Sequence, residues 1–533
     1  MKLKLSALKE KQAWLDKNIA LPASDLEQVA AKTMENPGWV HFGAGNIFRI
    51  FPARAHQVLL DQGLADTGIV AVETFDFEIV ERVFDAYDNL TLSVIMKADG
   101  SLEKTVVGSI VKAMTSQVDN GDFDKLASFF TNPSLQMASF TITEKGYAIK
   151  DHVGNYFGAV KADMEGGPKA PLHAMSVLTS LLNQRYQAGK LPLAVVSMDN
   201  CSHNGDKIKA AVTEIAKVWA EKEFVEQDFL DYLEDPTKVS FPLSMIDKIT
   251  PRPSEKVQEV LEEIGLEDMG VIITEKNSYT APFVNAEVSE YLVIEDLFPN
   301  GRPPLEKAGI LFGDRETVNK VETMKVTTCL NPLHTALAVT GCLLGYTLIA
   351  DEMNDEELKK LVMKIGYDEG LPVVINPGII DPKVFIDEVV GERFVNPYIP
   401  DTPQRIATDT SQKVAIRFGE TIKSYVKDPE LDPASLVGIP LALAAWLRYL
   451  VGVDDNGNEM PLSSDPMLEV LAPILQKVKL GDDSADLTEI LKNQEIFGVD
   501  LYEVGLGNKV EKMFLQMISK EGAVRETLKA YLT

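Results

Sequence analysis

The feature that most constrains this chain is a strand running into a glycine turn, then a helix, then a second strand that ends on an acid. Gly38-Trp39-Val40-His41-Phe42 reads as a short buried strand, followed at once by Gly43-Ala44-Gly45-Asn46-Ile47-Phe48-Arg49. Ala53, Ala55, Val58, Leu59 and Leu60 then share one side of a helix that Gly63 closes. Gly68-Ile69-Val70-Ala71-Val72-Glu73 is the second strand. This order opens a dinucleotide-binding βαβ unit, in which two glycines let backbone N–H groups approach a pyrophosphate at the helix start. On that reading Gly43, Gly45, Asn46, Ile47, Phe48 and Arg49 form the cofactor turn. Glu73 would meet the ribose hydroxyls, and its charge would repel a 2′-phosphate, favouring NAD over NADP. Two departures stand out: Phe48 occupies the third glycine position, and Glu73 lies further on than the roughly 20 residues usual for the ribose-binding acid.

At 533 residues the chain is too long for one core and should divide. A formal charge of −28 argues against nucleic acid or an anionic membrane as partner. Cys201, Cys329 and Cys342 are few, odd in number and without C-x-x-C spacing, which fits a reducing cytoplasm and excludes a disulfide framework or a cysteine-based zinc site. The N-terminus lacks a signal-peptide core and no run of eighteen apolar residues exists, so a cytoplasmic, non-membrane protein is expected. The six histidines are scattered, with no H-E-x-x-H pair, and no G-x-S-x-G elbow occurs, so metal-free chemistry with a lysine or histidine as proton carrier is the expectation. Oligomeric state, monomer or homodimer, stays open.

Further along, Thr91–Met96, Met137–Thr143 and Leu193–Ser197 read as strands, with a helix over 171–188. Ligands bind beyond the carboxyl ends of strands in open α/β sheets, which makes Asn200 a candidate contact, although an Asp-Asn pair there also suits a plain turn. Tyr186 and Lys190 have Y-x-x-x-K spacing, but Gly189 between them marks a helix end instead. Pro and Gly density over 298–304 suggests the domain boundary, dividing the chain into 1–296 and 297–533. Beyond it the periodicity is helical, over 335–350, 355–367, 411–426, 435–452, 467–476 and 508–531. The expected fold is therefore α/β, a Rossmann-type dinucleotide-binding domain followed by a mostly α-helical domain. At the entrance of the first of these helices stand Lys325, Asn331 and His334. On spacing alone this is a helix start with a satisfied histidine and a solvated lysine.

Six segments in order resemble the mannitol dehydrogenase family of polyol-specific long-chain dehydrogenases. They are G-x-G-x-x-x-R at 43–49, T-x-T-E-K-G-Y at 141–147, S-x-D-N-x-x-x-N-G at 197–205, F-P-x-x-M-x-D-x-I-T-P at 241–251, D-x-F-P-x-G-R-P at 296–303 and the Lys-Asn-His entrance. The resemblance implies reversible hydride transfer between NAD and a sugar acid or polyol, at a site without metal. It implies Lys325 as general acid/base, with Glu322 three residues earlier, and Asn200 and Asn331 as hydrogen-bond donors to the reacting oxygen. His334 and Asp247 complete the polar pocket, Arg405 and Lys413 bind substrate oxygens, and Glu144 and Asp199 join the cofactor contacts. The family's asparagine and histidine sit one residue nearer the lysine than here, which implies an inserted residue held as a bulge at Thr327-Thr328-Cys329. Arg405, Lys413 and Lys248 lean the substrate toward a keto-uronate, fructuronate reduced to mannonate, ahead of tagaturonate and of mannitol. The reading from another class is a non-redox epimerase or sensor that holds NAD permanently.

Overall fold

Six strands build one parallel sheet: β1 (Trp39–Phe42), β2 (Ile69–Glu73), β3 (Ile110–Thr115), β4 (Met137–Phe140), β5 (Leu193–Ser197) and β6 (Val239–Ser240). Their spatial order is β3-β2-β1-β4-β5-β6, the strand order of a Rossmann fold with its switch point between β1 and β4. The computed structural model describes residues 1–482 and 484–532. Every residue of β1, β2, β4 and β5 is buried, because helices cover both faces of a parallel sheet. Val40, Phe42, Val70, Val72 and Phe140 pack on one face beneath α3 (Asp122–Phe130), α4 (Ala174–Gln187) and α5 (Asn204–Glu221). Trp39, Ile69, Ala71, Met137 and Val196 pack on the other, against Phe48, Phe51 and Leu59. The helix expected after the glycine turn is two, α1 (Asn46–Ile50) and α2 (Pro52–Asp61). They are separated at Phe51, where Pro52 supplies no N–H to continue the first.

The chain separates into two compact units, Met1–Val318 and Asn319–Thr533. The Pro/Gly-rich stretch expected at the boundary lies inside the first unit, because strand Leu311–Gly313 follows it and pairs with Tyr291–Glu295. Tyr291–Glu295 also pairs with Ser244–Asp247, so residues beyond 296 complete a sheet of the first unit. A third sheet of four strands carries Ile19–Ala20 on its edge, which ties down the N-terminal residues.

The second unit is helical. Its centre is α6 (Asn331–Leu344), apolar on nearly all sides and packed against α8 (Gly438–Tyr449), every residue of which is buried. α8 packs in turn on α9 (Gly507–Ile518). A fully buried helix start needs partners for its first N–H groups. Glu369 supplies them, accepting from Val437, Gly438 and Ile439 at 2.6, 2.7 and 2.8 Å. Glycine sets two breaks that apolar periodicity does not reveal. Gly345, at φ +82, ends α6 where a helix to 350 is expected, and Gly522, at φ +76, divides the last helix into α9 and α10 (Ala523–Tyr531). Among the described residues no helix is long and apolar enough to cross a membrane.

Candidate active site

In the first unit the candidate residues begin at the glycine turn. Gly43 sits at φ +96, and a Cβ there would lie 2.1 Å from the Thr141 carbonyl oxygen, so only glycine fits. At Gly45 nothing lies within 4 Å of where a Cβ would be, so the space beside the turn is open there. Asn46 and Ile47 are partly exposed beside that space. Phe48 explains its own departure from glycine. Its ring stacks on His41 of β1 at 3.7 Å, so aromatic contact replaces the close helix–strand approach that a third glycine allows. His41 is itself bound to Ser139 and Thr141 and kept neutral, burial lowering its pKa to about 3.

Arg49 is a correction. Its guanidinium is fully buried, donating to Thr91 and Thr280, and burial lowers its pKa to about 9. It ties strand Thr91–Met96 to Thr280 and is buried away from solvent. Glu73 stands at the end of β2, and its carboxylate accepts from Ala44 of the glycine turn at 3.1 Å and from Thr74, Phe75 and Asp76. Burial raises its pKa against those four donors. Asp199, after β5, accepts from Ile142 at 2.7 Å and from the Tyr147 hydroxyl at 2.5 Å, fastening the turn that follows β4. Burial raises its pKa as well. Thr143 in that turn has φ +64, a conformation that β-branched residues rarely adopt and that tends to mark functional sites. Glu144, by contrast, is exposed and ion-paired with Lys207.

Asn200 is exposed in the bend beyond β5, at the carboxyl edge of the sheet, and Asp247 is buried at the end of Ser244–Asp247. Asn204 joins these two segments. Its amide donates to the Asp199 and Ser244 carbonyls and its oxygen accepts from Ser244 N–H. Lys248 is a second correction. Its amine is buried, pairs with Glu290 at 2.9 Å and donates to the Glu287 carbonyl, so it is not available to a substrate.

In the second unit Lys325 opens a π-helical turn, Lys325–Cys329, that joins helix Arg315–Met324 to the start of α6. A π turn holds one residue more than an α turn, so this turn can accommodate the spare residue read from the spacing. Lys325 is buried, and Glu322 is partly buried one turn before it. Asn331 is the first residue of α6 and its carbonyl accepts from Thr335 at 2.9 Å. His334 Nε2 lies 2.6 Å from Asp401 Oδ2. A carboxylate there requires Nε2–H, leaving Nδ1 as the acceptor. Burial alone would raise the Asp401 carboxyl, but the hydrogen bond and charge of His334, followed by Arg405, bring it below its ordinary pKa. Arg405 is mostly exposed and paired with the same carboxylate. Lys413 donates to the Ile406 and Thr408 carbonyls.

Residues 37–307 match the mannitol dehydrogenase Rossmann domain and residues 317–518 the mannitol dehydrogenase C-terminal domain. The chain belongs to the mannitol dehydrogenase family. A D-mannonate oxidoreductase of Thermotoga maritima is 52% identical over 99% of this chain and 98% of its own length. A D-mannonate oxidoreductase of Escherichia coli is 29% identical over 87% and 89%. Among solved structures, the mannitol 2-dehydrogenase of Pseudomonas fluorescens in ternary complex with NAD and D-mannitol is 26% identical, with a TM-score of 0.70 over 100% and 99% of the two chains. A D-sorbitol dehydrogenase in substrate-free form is 26% identical, with a TM-score of 0.80 over 97% and 98%.

As a mannitol dehydrogenase family member, the chain is a dehydrogenase of secondary alcohols, and three of its polar residues escaped sequence reasoning. Asp401 lies four residues before Arg405, a helical spacing that could have been read as a pair. Arg417 lies four after Lys413 and donates to Thr335 in the first turn of α6. Asn204, within the S-x-D-N-x-x-x-N-G segment, has no sequence signal that separates brace from ligand.

Proposed function

We propose that the protein reversibly reduces a keto-uronate to an aldonate with NADH, D-fructuronate to D-mannonate, using Lys325 as general acid/base and no metal. The observation that carries this reading is the 52% identity to the Thermotoga maritima D-mannonate oxidoreductase over essentially both full lengths. Basic groups support it, because an acidic chain that gathers Arg405, Lys413 and Arg417 along one short stretch suits an anionic substrate. The glycine turn and open Gly45 suit NAD, and bound NADH supplies the hydride.

Lys325 as an ammonium donates its proton to the substrate oxygen as that oxygen gains negative charge. In the oxidative direction the amine takes the hydroxyl proton. Asn200 and Asn331 donate hydrogen bonds to the same oxygen, each such preorganised donor being worth about 2.7–4 kcal/mol at comparable sites. His334, its Nε2–H held by Asp401, offers Nδ1 to a neighbouring substrate hydroxyl. Asp247 accepts from a hydroxyl further along.

NADH oxidation measured with D-fructuronate, D-tagaturonate and D-fructose tests the substrate. Preference for fructuronate is expected, and preference for fructose sinks the keto-uronate reading. Lys325→Ala is expected to lose at least about 100-fold in kcat, the lower range for a general acid/base. Near-wild-type turnover of that variant at all pH values removes Lys325 from its role.

A further inference from the structure

Arg405 and Lys413 are the cations that resemblance assigns to the substrate, yet both are engaged within the chain. Arg405 pairs with Asp401, and Lys413 donates to two backbone carbonyls. Arg417 differs. It stands in a π-helical turn, Ala415–Gly419, which packs against the π-helical turn that carries Lys325. Its Nη1 donates to Thr335 Oγ1, which in turn donates to the Asn331 carbonyl, so the guanidinium is held at the end of α6 that bears Asn331 and His334. Among the described residues it has no carboxylate partner, and it is half-buried, which lowers its pKa to about 10. A guanidinium partly withdrawn from water with a neutral hydroxyl as its partner carries a desolvation cost, and a carboxylate brought by a ligand offsets it. Planar fork geometry suits it to a carboxylate better than to a hydroxyl.

We infer that Arg417 is the residue that binds the terminal carboxylate of the keto-uronate, while Arg405 serves to hold Asp401 against His334. The inference rests on the keto-uronate reading and sharpens it, assigning recognition of the acid group to a residue distinct from the proton-transfer and oxygen-binding set. A neutral polyol has no group to match Arg417. Its contact with Thr335 would remain in that case as a purely structural brace.

The test compares wild type, Arg417→Gln, Arg417→Lys and Arg405→Gln, reading KM and kcat for D-fructuronate and the inhibition constant of D-mannitol, the neutral analogue. Arg417→Gln is expected to raise KM for the uronate at least about 10-fold, the loss of one charged hydrogen bond. The inhibition constant of D-mannitol should change less than KM, and Arg417→Lys should fall between wild type and Arg417→Gln. Arg405→Gln should depress kcat more than it raises KM, acting through Asp401 and His334. Equal effects of Arg417→Gln on uronate and mannitol, or a KM unchanged, overturn the inference. If Arg417→Gln does not fold, Arg417→Lys decides, and a wild-type KM in that variant together with a raised KM in Arg405→Gln overturns it. Wild type that turns over no keto-uronate overturns the keto-uronate reading along with it, whereas a uronate-active wild type with an indifferent Arg417 overturns this inference alone.

Discussion

At the residue scale, one carboxylate holds two of the candidate substrate groups. Asp401 accepts from His334 on one oxygen and from Arg405 on the other, and its side chain is 9% exposed while that of Arg405 is 65% exposed. The exposed pair contributes little to stability. The buried hydrogen bond to His334 fixes a tautomer and a ring direction, which matters to function more than to folding. Asp401→Asn keeps the shape but leaves one acceptor oxygen for two donors, so His334 and Arg405 can no longer both be satisfied and the tautomer is no longer fixed. We expect kcat to fall about 10–100-fold, the range seen when orienting partners are removed. Because the folded carboxyl titrates below its ordinary value, Asp401 is charged throughout the neutral range. A kcat within twofold of wild type would show that His334 needs no orienting partner. Asp401 was passed over because an aspartate before a Thr-Pro helix start reads as an ordinary turn residue, and only its spacing to Arg405 hinted at a pair.

At the element scale, the glycine turn, its two strands and its acid are legible because each obeys a local rule. Buried parallel strands read as apolar runs, and a left-handed glycine is needed wherever a second backbone crowds the turn. The direction of Arg49 was not legible because the rule gives position and not side-chain direction, and the direction is set by Thr91 and Thr280, distant in sequence. The same distance rule hides the tie between α7 (Glu356–Met363) and α10. Asp355 caps α7, accepting from Glu357 and Leu358, and its other oxygen receives the Tyr346 hydroxyl at 2.7 Å and Arg525 of α10. Burial would raise the Asp355 carboxyl, but the Tyr346 and Arg525 hydrogen bonds outweigh it and its pKa lies below normal. A depressed folded pKa contributes stability that is complete above the unfolded value of about 3.9 and is lost as pH falls through the folded one. Asp355→Asn keeps the cap and removes the charge. It is expected to lower Tm by about 2–4 °C at pH 7, for a loss of about 1 kcal/mol. The gap to wild type should close below about pH 4, and a gap that is constant from pH 7 to 3 would assign the loss to packing.

At the scale of the whole molecule, two separate cores were legible from length and from the change of periodicity, but their division was not. Strand Leu311–Gly313 is only three residues long, too short to carry an alternation signal, yet its pairing with Tyr291–Glu295 keeps everything to Val318 in the first unit. Tryptophan distribution makes the two cores separable in solution. Trp14, Trp39 and Trp219 lie in the first unit and Trp446 in the second, all four buried. In Trp446→Phe the fluorescence reports on the first unit alone, and the aromatic contact with Phe497 keeps a ring on both sides. A ligand that binds only the native Rossmann unit stabilises it by about 2.7 kcal/mol at a concentration 100 times its Kd. NAD should therefore raise the midpoint of this fluorescence transition by several degrees. Gly43→Ala, whose Cβ would meet the Thr141 carbonyl, should lower the midpoint and abolish the NAD-dependent rise. If NAD leaves the transition of Trp446→Phe unmoved, the glycine turn is not the cofactor's seat.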